Sequence, residues 1–343
     1  MIKTVEMDFQ FMNYIDQPPV QPQDLMKRAC SSDEITISSW SKQWIDQYTA
    51  NHKKYGPFKD SSVGQLYGIN AMKPAIICGS GPSLKNNIEV LAKHSKEMMV
   101  VSCLHNFHYM VDNNVDVDYY VTLDAGEVTV EEISEGGQKS HKHYVEKTKD
   151  KTLLAFAGTH PKLLESWKGK ILFYNAPIPD EKIINAFKEV EVFDMHVGNG
   201  GNVLGACLYI AKSVMGSNPI IFTGADFCFS YKNTFHSWPS KYDEKLGNVV
   251  RATDVFGNCV RTWNFYFNFK NWFDFICLRV PGIWINASEG GCLGAYPEGN
   301  LRCIKQQTLE SVFEEYLMYR KIEIQCKSPW DARDEKGQIT LTF

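Results

Sequence analysis

Gly79-Ser80-Gly81-Pro82-Ser83-Leu84 is the stretch whose residue types and spacing fit anion chemistry most directly. It follows the apolar run Ala75-Ile76-Ile77-Cys78 and precedes a segment in which Leu84, Ile88, Leu91 and Ala92 recur at helical spacing. Gly79 and Gly81 permit close approach to the main chain, and Pro82 is preset for a first helical turn. The free amides of that helix start, with its partial positive charge, would face a phosphate or another anion at the strand tip. The same residues would also make a plain strand-to-helix turn. Leu84 stands where the dinucleotide fingerprint needs a third glycine, and no Gly-Lys-Ser/Thr follows, so neither that fingerprint nor the P-loop is present.

Further candidates lie just after other apolar runs. In Cys103-Leu104-His105-Asn106-Phe107, Asn106 offers a donor and an acceptor, or a cap for the next helix. Asp124 and Asp226, in Thr122-Leu123-Asp124-Ala125-Gly126 and Gly224-Ala225-Asp226-Phe227, are carboxylates able to hold a ribose, a metal or a reacting hydroxyl. Gly198-Asn199-Gly200-Gly201-Asn202 is a second glycine-rich helix entry. Residues 227–260, rich in aromatic side chains and without periodicity, read as a lid or acceptor-binding loop. Within them His236 is the candidate general base, since imidazole titrates near neutrality; His196 is a weaker competitor. Asn286, Ser288, Glu289 and Gly290 follow the last apolar run.

The elements that must position these residues alternate. Apolar runs at 75–78, 98–103, 118–123, 152–157, 171–174 and 219–223 read as strands separated by helices, with a final strand at 282–286. That pattern predicts an α/β, Rossmann-like, mainly parallel sheet with helices on both faces, whose ligand edge lies beyond the strands' carboxyl ends. Residues 1–70 form an N-terminal arm, with a proline-broken connector at 17–22 and a helix over Ser38–Tyr48. Residues 71–300 form the nucleotide-binding domain, within which Trp263–Leu278 is a buried helix. Residues 301–343 hold an amphipathic helix from about 304 to 320 and a polar tail after Pro329.

With 44% hydrophobic and 22% charged residues and a formal charge of −4, the chain has a globular composition and no basic field for nucleic acid. No pair of its ten cysteines has Cys-x-x-Cys spacing, so they read as reduced. No membrane span or signal peptide is expected, which implies a cytoplasmic protein.

The order of these motifs is more specific than any one of them. Gly-Ser-Gly-Pro-Ser-Leu at 79–84, Val-Asp-Tyr-Tyr-Val-Thr-Leu-Asp at 117–124, Gly-Gly-Asn-Val at 200–203, Gly-Ala-Asp-Phe at 224–227 with His236 downstream, and Ile-Asn-Ala-Ser-Glu-Gly-Gly at 285–291 appear in sequence. Over roughly residues 70–300 the chain resembles the family of motility accessory factors and MptE-like 6-hydroxymethylpterin diphosphokinases. Its first loop is also similar to that of bacterial CMP-sialic acid sialyltransferases, with Asn106-Phe107 matching their Asn-x-Phe element and Ser80 departing from their asparagine.

The resemblance implies a glycosyltransferase that uses a CMP-activated, sialic-acid-like sugar, with no tightly bound cofactor. Gly79, Ser80, Gly81, Pro82, Ser83, Asn106, Gly201, Asn202, Asn286, Ser288, Glu289 and Gly290 would bind the donor, and His236, Asp226 and Asp124 would serve catalysis. The other branch implies an ATP- and Mg²⁺-dependent diphosphokinase, with Asp124 and Asp226 as metal ligands. A third alternative is a non-catalytic nucleotide-binding protein. The acceptor, whether a protein hydroxyl, a glycan or a pterin, is left open.

Overall fold

In a computed structural model, residues 22–134, 139–232, 234–238 and 248–325 are described. The connector at 17–21, residues 233 and 239–247 of the expected lid and the tail after Pro329 lie outside them. Eight strands form one wholly parallel sheet: β1 (Ala75–Cys78), β2 (Met99–Cys103), β3 (Tyr119–Thr122), β4 (Thr152–Phe156), β5 (Lys170–Tyr174), β6 (Ile220–Thr223), β9 (Trp284–Asn286) and β10 (Ile304–Gln306). β7 (Val249–Thr253) and β8 (Cys259–Trp263) form a separate antiparallel pair.

The order in the sheet is β10-β9-β6-β1-β2-β3-β4-β5. The chain runs outward from β1 to β5, then returns to β6 on the other flank of β1. Central strands built of Ala-Ile-Ile-Cys and Ile-Ile-Phe-Thr are fully buried, as strands covered on both faces must be. Each fully buried large apolar side chain contributes roughly 1.5–3 kcal/mol. All carboxyl ends share one edge, and the order in which the chain adds strands reverses between β1 and β6.

The connecting helices are α1 (Pro22–Tyr55), α2 (Leu84–His94), α3 (Phe107–Asp112), α4 (Thr129–Glu132), α5 (His141–Lys147), α6 (Pro161–Ser166), α7 (Glu181–Val190), α8 (Val203–Tyr209), α9 (Asn264–Arg279) and α10 (Leu309–Gln325). Helix α1 is longer than the expected Ser38–Tyr48. It is seated on the sheet edge by side-chain amides: Gln43 and Gln47 donate to the Ala125 carbonyl at 2.9 and 3.1 Å, and Asn51 donates to the carbonyls of Ala157 and Thr159 at 2.9 and 2.7 Å. Tyr48 stacks on Phe187 of α7 at 4.1 Å.

The structure departs from the sequence reading in two further places. Part of the expected lid is the β7–β8 hairpin. Residues 304–306 are an edge strand, so the C-terminal helix begins at Leu309 rather than near 304. Among the described residues, no helix is long and apolar enough to cross a membrane, and Cys78, Cys207, Cys228 and Cys277 are buried thiols outside any disulfide.

Candidate functional site

The crevice where the strand order reverses lies between the loops after β1 and β6, where open α/β sheets bind ligands. Here it is filled by the protein itself. Asp226 is 5% exposed, and its carboxylate accepts from the Ser83 amide at 3.2 and 3.3 Å and from Ser83 Oγ at 2.7 Å. The anion at the start of α2 is therefore an internal carboxylate rather than a donor phosphate. A Cβ at Gly81 would collide with Asp226 Oδ2, and one at Gly79 with the Gly224 carbonyl, which accounts for both glycines. Burial raises the Asp226 pKa to about 6 against the lowering by its Ser83 hydrogen bonds.

The other residues expected at this edge reinforce the same junction. Asn106 does not cap α3; its amide donates to the carbonyls of Cys78 and Gly79 at 3.2 and 3.0 Å, strapping the first loop to the end of β2. Ser288 Oγ accepts from the Ala225 amide at 3.1 Å, and Asn286 donates to Gln306 Oε1 at 2.9 Å. Glu289 accepts from Asn87 Nδ2 at 2.8 Å and from the Leu309 amide at 3.0 Å, joining α2 to the start of α10. Gly290 lies against Ser83 and Asp226, and Pro82 is buried.

Open space lies farther along the edge. A cleft of about 1070 Å³ is floored by the chain after β3 and β5 and by the second glycine loop, and walled by α1 and α9. It brings together Asp124, Gly201 and Asn202 of the expected residues and adds His105, Glu132 and Asn271. Asp124 is exposed, with Oδ1 accepting from the Gly126 amide at 2.7 Å. Asn202 caps α8 by accepting from the Gly205 amide at 2.9 Å. Trp272 and Phe269 of α9 lie directly over Gly200 and Gly201, both at positive φ, and a Cβ at Gly200 would collide with the Trp272 ring.

Between the crevice and the cleft stands a histidine cluster. His236 Nε2 is 3.2 Å from His105 Nε2, and His105 Nδ1 is 3.6 Å from Glu132 Oε1. The Ser237 amide donates to the Ser80 carbonyl at 3.1 Å, which fixes the His236 segment over the first loop. The His236 ring stacks on Trp238 at 4.6 Å, and burial lowers its pKa to about 3. His105 lines the cleft, with His236 behind it, so the histidine singled out from sequence is the inner member of a pair. The signal that could have pointed to His105 was its place directly after a strand, beside Asn106.

Phe229 and Phe235 pack on Trp263, so these loop aromatics do not wall the cleft; Trp40, Trp44, Phe265, Phe269 and Trp272 do. Asp226 is engaged by Ser83 while Asp124 faces the cleft, and among the described residues no three His, Cys, Asp or Glu side chains are grouped to hold a metal. The two aspartates therefore do not fit a shared Mg²⁺ site.

The sequence profile of the family described as 6-hydroxymethylpterin diphosphokinase MptE-like matches residues 43–232. No curated protein matches the chain. Among solved structures, the MAf glycosyltransferase from Magnetospirillum magneticum AMB-1 is similar with a TM-score of 0.50 and 14% identity, over 81% of this chain and 42% of that one. At that identity the likeness is one of fold, and the chain spans well under half the length of that protein.

Proposed function

The chain belongs to the MptE-like family, and from that premise we propose that it is a nucleotide-dependent transferase, a glycosyltransferase using a CMP-activated, sialic-acid-like sugar. The observation that carries the donor choice is the charge of the cleft. Asp124 and Glu132 line it, and no lysine or arginine does among the described residues. A CMP-activated, sialic-acid-like sugar brings two negative charges, its phosphodiester and its carboxylate, and needs no metal; ATP brings about four, and among the described residues no cluster of carboxylates or histidines is grouped to hold the Mg²⁺ that would offset them.

In this reading the donor lies along the Gly198–Asn202 loop at the start of α8, with the acceptor hydroxyl between it and His105. The acceptor oxygen forms a bond to the anomeric carbon as the bond to the phosphate oxygen breaks, and CMP leaves with that electron pair. The hydroxyl proton passes to the His105–His236 pair, where Glu132 is placed to balance the charge arriving on the His105 ring. Fixed backbone dipoles at the departing phosphate would supply much of the rate.

A thermal-shift series with CMP, CDP, UDP, AMP and ATP, with and without Mg²⁺, tests this. A ligand at about a hundred times its dissociation constant adds roughly 2.7 kcal/mol, which shifts a protein of this size by a few degrees. Stabilisation selective for CMP and independent of Mg²⁺ is expected. Stabilisation only by ATP with Mg²⁺ would replace this reading with the diphosphokinase, and no shift with any nucleotide would favour a non-catalytic role.

A further inference from the structure

The transfer chemistry leaves Asp124 without a role. Its carboxylate is exposed in the cleft, Oδ1 accepts from the Gly126 amide at 2.7 Å, and among the described residues no cation pairs with it. An aromatic wall stands directly beside it. A Cβ built on Gly126 would lie 3.2 Å from Asp124 Oδ1 and 3.4 Å from Cη2 of Trp40, so the carboxylate and the indole are separated by little more than one carbon atom. Trp44 follows one helical turn along α1. Gln43 and Gln47 hold that turn on the carbonyl of Ala125, the residue after Asp124, so the corner is built before any ligand arrives.

From this geometry we infer that the Asp124–Trp40 corner of the cleft binds an organic cation, an ammonium or guanidinium group. The assignment deepens the transferase reading and rests on it in one respect, that the cation belongs to the acceptor. Charge decides first. Glu132 is a second carboxylate in the cleft and no lysine or arginine lines it among the described residues, so an anion in this corner meets repulsion and a cation meets attraction. In the transferase reading the donor's negative groups accordingly keep to the Gly198–Asn202 end. The rings decide next. An aromatic face attracts a cation, and tryptophan does so best of the side chains. A hard divalent ion fits poorly, because it takes about six oxygen ligands, whereas Asp124 is a single carboxylate with no acidic or histidine cluster around it. An organic cation asks for one carboxylate oxygen and an apolar surface for its carbon atoms, which this corner supplies. Two kinds of acceptor carry such a group near a hydroxyl: a polypeptide with a basic residue beside serine or threonine, and an amino sugar.

The test uses the full chain at about pH 6.5, where amines are protonated, with two pairs of probes that differ in one charge. One pair is N-acetyl-Ser-Lys amide and its Nε-acetylated form, and the other is glucosamine and N-acetylglucosamine. Affinity is read by titrating tryptophan fluorescence, and unfolding midpoints show that each variant is folded. Wild-type protein is expected to bind a cationic probe at least about tenfold more tightly than its acetylated counterpart, and to lose most of that preference between about 50 mM and 500 mM salt. Asp124→Asn is expected to bring the pair within about twofold, and Trp40→Leu, which keeps the carboxylate, to leave a preference of about threefold. A preference within the peptide pair assigns the corner to a basic polypeptide, and one within the glucosamine pair to an amino sugar. Equal binding within both pairs, binding of no probe, or a preference that survives Asp124→Asn would overturn the proposal. Should both variants fail to fold, the wild-type salt series decides: a preference that salt removes supports the site, and one that is absent or indifferent to salt removes it. The transferase reading fails on a separate observation, no CMP release from CMP-sugars, which leaves the cation preference standing.

Discussion

A carboxylate taken out of water beside a helix start is pulled two ways, and at Asp226 burial wins, raising its pKa to about 6 from an ordinary 3.8. Between those values the folded state keeps a proton that the unfolded state releases. The stability contributed by the protonated form is therefore complete below about 4 and is lost as pH rises through about 6, a change of roughly 3 kcal/mol. His236 tilts the other way. Its lowered value means that the unfolded chain binds the extra proton between about 3 and 6.5, so this group adds stability as pH rises through that interval. Asp226→Asn keeps an acceptor for Ser83 and removes the titration. Unfolding midpoints taken from pH 4.5 to 7.5 should show the variant gaining on wild type with rising pH, and parallel curves would remove Asp226 as the cause. Catalysis is tested by His105→Gln, for which a fall in kcat of about 10²–10⁴ with KM little changed is expected. Single-turnover CMP release at the wild-type rate would take His105 out of the mechanism. In sequence Asp226 and Asp124 are equivalent, each a carboxylate two or three residues past a strand. What separates them is Ser83, 143 positions from Asp226 and closed upon it by the sheet.

At the level of elements, the second glycine loop and α9 form a matched pair. Gly200 and Gly201 hold positive φ and lie under Trp272 and Phe269, so a side chain at Gly200 meets both backbone strain and the indole. Gly200→Ala is expected to lower stability by about 1–3 kcal/mol and to weaken nucleotide binding as the loop shifts. Denaturant unfolding together with CMP titration would check this, and a variant with wild-type values in both would show that the loop relaxes freely. The six strands from β1 to β6 were legible because each is an apolar run bounded by glycine, proline or polar residues. The β7–β8 hairpin was not. Its alternation, Val-Val-Arg-Ala-Thr against Cys-Val-Arg-Thr-Trp, is short and lies among aromatic residues that pack on one another. β10 was hidden for another reason: Ile304-Lys305-Gln306 has no strand signature and is extended because it pairs with β9 at the sheet edge.

Across the whole molecule, the sheet order leaves two sites at one edge and closes one of them. The reversal point between β1 and β6 is sealed by Asp226, and the open volume lies toward β3, β4 and β5, where α1 comes in from the far end of the sequence to supply Trp40 and Trp44. Periodicity could identify α1 as a helix with one aromatic face; its place opposite α9 comes from hydrogen bonds to carbonyls at 125, 157 and 159, which no local pattern contains. The electrostatics follow from that placement, because α1 and α9 bring aromatic rings and amides into the cleft and no lysine or arginine among the described residues. Binding there should draw on stacking and dipoles more than on ion pairing, and such interactions are weakly screened. CMP affinity is therefore expected to change less than roughly threefold between about 50 mM and 500 mM salt. An affinity that falls more than about tenfold over that range would mean that paired charges hold the nucleotide, and would move the phosphate away from the Gly198–Asn202 loop toward a basic surface outside the cleft.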